Sequence, residues 1–444
     1  MADAEPSQST LAAPKRTRNG CQTCKKRRKR CDEQHPICGS CNKLNLHCVY
    51  GMNIRWGTTR ESFEIATMPQ TGLGTGSKDA LYELLKGLDI TQRLHRLIDT
   101  TLDGEGRTIL LKFLRTGYKQ LANDIAANDA WLTTQFPMCE DSKACLLSML
   151  AFQTAIDVDY DDVFDRYYDQ ALTQFTKEAC SPKPIRPVSV FFAGLFMCTI
   201  CLSRLMPYTN HLNAVIAMAK TWMDVQCPLA PPVLEFLSLL GYLDLQTHTV
   251  NRLTPKQYTW YTYCRGQQGI HTTSGLPYSL IDLLSASDTE DSEPALLLWT
   301  MPPGTMAQQH LWEATRLAGI LFVRRSRQIA IMSYALLDPD VMISNGVIIN
   351  SIFVSIQRCI DVVTEQSAQF KQALMFPLVT AAAFDHDLSI ASKEFIRLTI
   401  GNLASERNHV LYKGILEAIE DFWQSDDISI ESTAQRREVE LCLL

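Results

Sequence analysis

Six cysteines fall within 28 residues: Cys21, Cys24, Cys31, Cys38, Cys41 and Cys48. Their spacing is C-x2-C-x6-C, then six residues, then C-x2-C-x6-C again. Thiolate sulfur is a soft ligand, and Zn(II) in structural sites takes four ligands tetrahedrally. Two ions need eight metal–sulfur bonds, but only six sulfurs are present, so two cysteines must serve both ions. The repeat points to the leading cysteine of each half, Cys21 and Cys38. The competing chemistry is a disulfide scaffold, which needs an oxidising compartment. Met1-Ala2-Asp3-Ala4-Glu5-Pro6 lacks the cationic lead into an apolar stretch expected of a secretory signal. Metal is therefore the expectation. A metal store would leave the neighbouring cations unexplained.

Those cations are Lys25-Lys26-Arg27-Arg28-Lys29-Arg30, an unbroken run between Cys24 and Cys31. Residues 15–50 carry ten Lys and Arg against Asp32 and Glu33 alone. Two divalent ions with six thiolates carry a charge of about −2, so a metal-loaded segment stays strongly positive. Such a segment binds phosphates with release of counterions, hence with steep salt dependence. The simpler account of the run is a nuclear import signal, and one patch can serve both uses. Residues 19–50 hold only Ile37, Leu44, Leu46, Val49 and Tyr50 as large apolar side chains. So small a core cannot offset chain entropy. Metal binding, on the order of 10 kcal/mol or more per structural zinc, must supply the folding free energy.

The run Cys21-Gln22-Thr23-Cys24-Lys25-Lys26-Arg27-Arg28-Lys29-Arg30-Cys31-Asp32, with Pro36 before Cys38, resembles the fungal binuclear zinc-cluster transcription factors. The resemblance implies two Zn(II) per chain, double-stranded DNA as partner, a nuclear location, and control of RNA polymerase II genes rather than catalysis. It also implies that Arg28, four residues after the second cysteine, reads bases with Arg27 beside it, and that the half-site is a CGG triplet. An Arg fork suits this, because it donates bidentately to guanine O6 and N7. Lys25, Lys26 and Arg30 would then contact phosphates, which set position but not sequence.

A three-base word recurs about once per 64 positions, too often to single out a site in a genome. A second reading head is expected, in a homodimer or heterodimer. The coiled coil that many family members place after the cluster is missing, because the stretch up to Thr71-Gly72-Leu73-Gly74-Thr75-Gly76-Ser77-Lys78 is Gly/Thr-rich without heptads. Leu81, Leu84, Leu85 and Leu88 form a short stripe. It reads as packing on its own domain or as a brief dimer seam.

The elements that must carry this head follow from the rest of the chain. The first 50 residues carry ten cations against Asp3, Glu5, Asp32 and Glu33, while the whole chain is −6, which leaves −12 for residues 51–444. That part is not a second nucleic-acid surface. Its apolar residues recur at helical spacing, as in Val163, Phe164, Tyr167, Tyr168, Leu172 and Phe175. Breaks fall at Pro182-Lys183-Pro184, Pro228 to Pro232 and Pro302-Pro303-Gly304. The expected fold is a small zinc-stabilised N-terminal module plus a large all-α C-terminal domain. Its expected segments are a disordered basic arm (1–18), the zinc cluster (19–50), a flexible linker (51–79) and an all-helical regulatory domain (80–444). A split near the acidic stretch 288–294 is the alternative. Val188 to Leu202 is apolar but shorter than the ~20 residues of a membrane span, so a buried helix is expected and no membrane association.

Ser274-Gly275-Leu276-Pro277-Tyr278-Ser279-Leu280-Ile281-Asp282-Leu283-Leu284 and Leu311-Trp312-Glu313-Ala314-Thr315-Arg316-Leu317-Ala318-Gly319-Ile320-Leu321 are similar to the fungal-specific regulatory domain of the shorter zinc-cluster factors. That group includes sterol-responsive and acriflavine-type regulators. The likeness implies control of a dedicated gene set, such as a secondary-metabolite cluster, or a sensor for a sterol or drug as small-molecule effector. Residue by residue, Leu276-Pro277 reads as the start of a helix, and Trp312, Leu317 and Ile320 as a packed face.

Other signals are weaker. Gly72-x-Gly74-x-Gly76-Ser77-Lys78 has the wrong spacing for a phosphate loop. Asp157, Asp159 and Asp161 begin like a calcium loop, but Asp162 and Tyr168 stand where Gly and Glu are needed. Cys198-Thr199-Ile200-Cys201 sits in apolar sequence, where cysteine behaves as a small hydrophobe. Glu417, Glu420, Asp421, Phe422, Trp423, Asp426 and Asp427 suit a segment that recruits transcription machinery. The favoured reading there is a final amphipathic helix. The histidines form no catalytic set.

Overall fold

The computed structural model describes residues 23, 24, 27, 29, 31, 32, 38–44, 46, 76–88, 90–121, 132, 136–181, 187–223, 231–330, 343–362, 373–406 and 409–443. The chain divides into two units, Met1–Gly72 and Leu73–Leu444. The expected basic arm (1–18) and most of the expected linker (51–79) lie outside the described residues.

In the first unit the described regular element longer than one turn's fragment is α1, Gly39–Asn42, with Cys38 as its N-cap. The second unit is helical, as its periodicity predicts. Its first helix, α2 (Gly76–Gly87), opens inside the segment expected to be linker. It is followed by α3 (Gln92–Thr101), α4 (Gly104–Arg115), α5 (Lys143–Ile156), α6 (Phe164–Ala179), α7 (Pro187–Ser203), α8 (Thr209–Met223) and α9 (Pro231–Leu243). Then come α10 (Tyr278–Ser285), α11 (Ser292–Leu297), α12 (Met306–Ala330), α13 (Asn345–Val362), α14 (Met375–Ala382), α15 (Ile390–Glu406), α16 (His409–Gln424) and α17 (Ile430–Arg436). Two short strands, β1 (Thr249–Val250) and β2 (Leu441–Cys442), pair antiparallel. The acidic stretch near 288–294 marks no division, since it lies within the second unit.

Local chemistry starts these helices. Thr91, Asp103 and Ser142 stand at N-caps, and their side-chain oxygens accept from Leu94, Gly106 and Cys145 N–H. Proline opens α7 and α9 and precedes α10, where its missing N–H costs nothing. Helix α5 is apolar on every side, with Ala144 to Ala155 all buried, so it must sit at the centre. It packs against α4, α6 and α7. Phe113, Phe152 and Phe196 close that contact with ring centroids 5.9–6.2 Å apart. Gly194 permits the close approach of α7 to α8, since a Cβ there would lie 2.3 Å from Val215 Cγ2. The Leu81/Leu85 stripe is fully buried in this core, which uses it up as packing rather than as a dimer seam.

Four buried acids staple the domain. Glu178 accepts from Ser142 Oγ at 2.6 Å and from Ala144 N–H at 3.0 Å, which holds the start of α5 from α6. Asp244 binds Arg252 at 2.6 Å, both side chains being almost wholly buried, and accepts from Gln257 and Thr259 N–H. Glu293 meets Arg324 at 2.8 Å between α11 and α12. Glu440 accepts from Tyr208 N–H (2.8 Å), Thr209 N–H (3.0 Å), Thr209 Oγ1 (2.7 Å) and Leu253 N–H (2.9 Å). Around it the last residues are tucked in: Leu441, Cys442 and Leu443 are buried, and Leu443 N–H donates to His248 O. Asn251 and Glu438, flanking the strand pair, adopt left-handed φ of 56° and 57°. Asn251 secures its position by donating Nδ2–H to Val439 O at 2.8 Å.

The two stretches resembling a fungal regulatory domain pack on each other. Trp312 is fully buried and donates Nε1–H to Gly275 O at 2.8 Å, and Leu284 meets Gly319. Pro277 caps α10, as Leu276-Pro277 predicts. The C-terminal acids are consumed by the fold: Glu420 pairs with Arg397, Asp421 and Asp427 with Arg436, and Glu417 with Arg437. Trp423 donates to Ala382 O, and Phe422 is buried. Val158–Val163 form a 3-10 helix that Asp157 caps, with Asp159 and Asp161 exposed, Lys112 bound to Asp157 and Asp159, and Arg204 to Asp161. Among the described residues no helix is long and apolar enough to cross a membrane.

Removing the Glu440 carboxylate strands two buried backbone donors, Tyr208 and Thr209 N–H, and the part-buried Leu253 N–H, and a buried donor left unsatisfied costs about 1–3 kcal/mol. Glu440→Ala is expected to destabilise the helical unit by about 3–5 kcal/mol, read as a lower urea midpoint. Burial also lowers the pKa of His248 to about 3 and of His211 and His271 to about 4, from 6.5. These groups stay neutral in the fold, whereas the unfolded chain takes up protons below 6.5. Their stability is therefore complete above that pH and lost as pH falls towards 4, by up to about 1.4 kcal/mol per unit per histidine. Urea midpoints at pH ~7 and ~5 measure it, and the lower pH should give the lower midpoint.

Candidate metal centre and nucleic-acid interface

The first unit brings sulfurs together where its sequence offers little else. Cys24, Cys38 and Cys41 are fully buried and Cys31 is 6% exposed. Cys24 Sγ lies 3.6 Å from Cys38 Sγ and 3.9 Å from Cys41 Sγ. A tetrahedral site with Zn–S of about 2.3 Å has sulfur–sulfur edges of ~3.8 Å. A disulfide needs about 2.05 Å. The described cysteines are thiols, at the separation a shared metal ion would impose. Two groups of donors form. Cys24, Cys38 and Cys41 have sulfurs within 4.8 Å of one another, and so do Cys31, Cys38 and a carboxylate oxygen of Asp32. Cys38 belongs to both. Cys21 and Cys48 lie outside the described residues.

Backbone geometry supports thiolate chemistry at Cys38. Its sulfur accepts the Cys41 N–H at 3.3 Å, and as N-cap of α1 it meets the donor-rich end of the helix. Asp32, which follows Cys31, accepts the Gly39 N–H with oxygens at 3.0 and 2.9 Å. Sequence reasoning missed this contact. Its only signal is an acid next to the third cysteine, in a segment otherwise rich in cations.

The two halves share a backbone device. Lys29 N–H donates to Cys24 O at 3.0 Å, and Leu46 N–H donates to Cys41 O at 3.0 Å. In each half the residue five after the second cysteine closes onto that cysteine. Arg27 N–H donates to Thr23 O at 3.1 Å, which fastens the basic run to the same turn. The side chains differ: Arg27 and Lys29 are exposed in the first half, while Leu44 and Leu46 are exposed at the equivalent places in the second. The first half thus carries the denser positive charge, while Lys43 is the exposed cation described in the second. Lys25, Lys26, Arg28 and Arg30 lie outside the described residues.

Elsewhere the Cys198 and Cys201 thiols are buried. Burial raises the pKa of Cys198 well above its usual value and that of Cys201 to about 12, which removes the thiolate that reactivity needs. Cys139 and Cys145, without evident pairing in the sequence, share a side-chain hydrogen bond, and burial holds Cys145 protonated.

Comparison with known proteins singles out the same segment. Residues 19–56 match the fungal Zn(2)-Cys(6) binuclear cluster domain, a domain that binds zinc. Sterol uptake control protein 2 of Candida albicans is 66% identical over 35 residues, 8% of this chain and 5% of that protein. Lysine biosynthesis regulatory protein LYS14 of Saccharomyces cerevisiae is 54% identical over 39 residues, 9% and 5%. Transcription factor pgmR of Aspergillus terreus is 41% identical over 69 residues, 16% and 36%. The chain thus spans only a small part of the relatives it matches, and no solved structure matches it. These relatives are named as regulators of transcription or of metabolite uptake and synthesis, not as enzymes. Residues 19–56, with their clustered sulfurs and the cationic turn fastened to them, are thus a zinc-cluster domain similar to those of fungal transcription regulators.

Proposed function

We propose that this chain is a nuclear, sequence-specific regulator of RNA polymerase II genes that reads CGG-type half-sites through its N-terminal module. Cys21, Cys24, Cys31, Cys38, Cys41 and Cys48 hold two Zn(II), with Cys21 and Cys38 shared. Arg28, with Arg27 beside it, contacts the guanines; Lys25, Lys26 and Arg30 contact phosphates. The observation that carries this reading is the basic turn fastened by Arg27 and Lys29 N–H to the residues around Cys24, beside close-set sulfurs. A rigid, cationic turn can hold an Arg fork against a base edge, whereas a loose chain could not. A triplet is poor information, so a homodimer or heterodimer supplies the second half-site. The helical unit would then set activity, through transcription machinery or an effector, on a dedicated gene set such as a secondary-metabolite cluster.

A second reading makes the helical unit the sensor of a small ligand. The likeness to a protein named for sterol uptake control favours it, but that likeness is confined to 35 residues. A cleft of about 370 Å³ lies in this unit between Thr249, Arg252, Phe322, Arg325 and Glu431. Its walls mix charged side chains such as Arg252, Arg325 and Glu431 with the Phe322 ring.

Arg28→Ala is expected to lose about 1–3 kcal/mol of preference for CGG over a mutated triplet, with zinc content unchanged; competition binding with both DNAs checks it. Equal preference in wild type and variant would show that another residue reads the triplet. Treatment with a strong zinc chelator should abolish DNA binding while the helical circular dichroism of residues 73–444 persists, since that unit has its own core.

A further inference from the structure

We propose that Asp32 is a positioning residue for the metal site, whose carboxylate holds the Gly39 N–H and thereby sets the place of Cys38. The proposal rests on the two-zinc reading above. Asp32 directly follows Cys31, and Gly39 directly follows Cys38. The hydrogen bond between them, at 3.0 and 2.9 Å from the two carboxylate oxygens, is therefore a rung joining the halves beside two of the sulfurs. It grips the first N–H of α1, the helix that Cys38 caps and from which Cys41 N–H reaches the Cys38 sulfur. Cys38 is the one described donor common to both groups. A shift of its sulfur would disturb both ions at once, while Cys24 or Cys41 touches one group only.

Two other roles make opposite demands. As a ligand, Asp32 would put on the metal an oxygen that lies within 4.8 Å of the Cys31 and Cys38 sulfurs, yet six thiolates with two shared already fill two tetrahedral sites, and both oxygens are engaged by the Gly39 N–H. As a mere charge, Asp32 would oppose metal loading. Replacing six thiol protons by two divalent ions leaves the cluster at about −2, and a nearby carboxylate repels that charge. Its removal would then tighten zinc binding, whereas loss of a positioning contact weakens it.

The test compares full-length wild type, Asp32→Ala and Asp32→Asn by chelator competition for zinc and by absorption of the cobalt(II)-loaded chains. Asp32→Ala is expected to bind zinc about 10–100-fold more weakly. Asp32→Asn keeps an acceptor oxygen for Gly39 N–H and should recover most of that loss. The thiolate-to-cobalt band per ion and the ligand-field bands should stay as in wild type for both variants. Unchanged or tighter zinc binding by Asp32→Ala overturns the proposal, and so do shifted ligand-field bands in both variants, which would make Asp32 a ligand. Wild type that binds zinc while Asp32→Ala matches it defeats this inference alone. Wild type without zinc defeats the metal reading as well.

Discussion

Sulfur takes the place of a hydrophobic core in the N-terminal module, and everything that module can do depends on that substitution. Cys24, Cys38 and Cys41 are fully buried, while Leu44 and Leu46, among the few large apolar side chains available, are exposed. A segment of this size cannot enclose enough apolar surface to fold. Ligation of thiolates by metal supplies both the free energy and the fixed geometry. The backbone closures onto Cys24 and Cys41 then transmit that rigidity to the turns. Arg27 and Lys29 of the cationic run are thereby tied to the residues around Cys24.

The helical unit solves the stability problem in the opposite way. It has a continuous core built around the all-buried helix α5. Its polar connections are buried acids, Glu178, Asp244, Glu293 and Glu440, each satisfied by backbone N–H groups or by arginine. A buried carboxylate is tolerable only when its acceptor sites are filled. These four therefore fix which loops and helix ends meet. Its excess of negative charge distinguishes it from the positively charged module ahead of it.

Much of this was legible in the sequence because the signals are local. The cysteine spacing anticipates sulfurs brought into one cluster, and Cys24, Cys31, Cys38 and Cys41 are found together. Leu81 and Leu85 face inward, α7 covers Val188 to Leu202, and Pro277 stands at the start of α10. What escaped is non-local. Glu440 and Tyr208 are 232 residues apart, and no periodicity connects them. The acids near the C-terminus have the composition of a recruiting segment, but Arg397, Arg436 and Arg437 neutralise them within the fold. Asp32 reads as an isolated acid until Gly39 is placed against it.

The sequence by itself determined the kind of ligand, the sign of the charge, the helical class and a helix entry such as that of α10 at Pro277. These are properties of residue type and of spacing over a few positions, and short-range sterics and hydrogen bonding translate them directly. Tertiary structure alone decided that Cys38 stands in both donor groups, that Asp32 ties one half of the module to the other, and that Glu440 is locked onto Tyr208 and Thr209. Those outcomes depend on loop closure and on the pairing of buried polar groups from distant segments. Their free energy exists only once the whole unit has assembled.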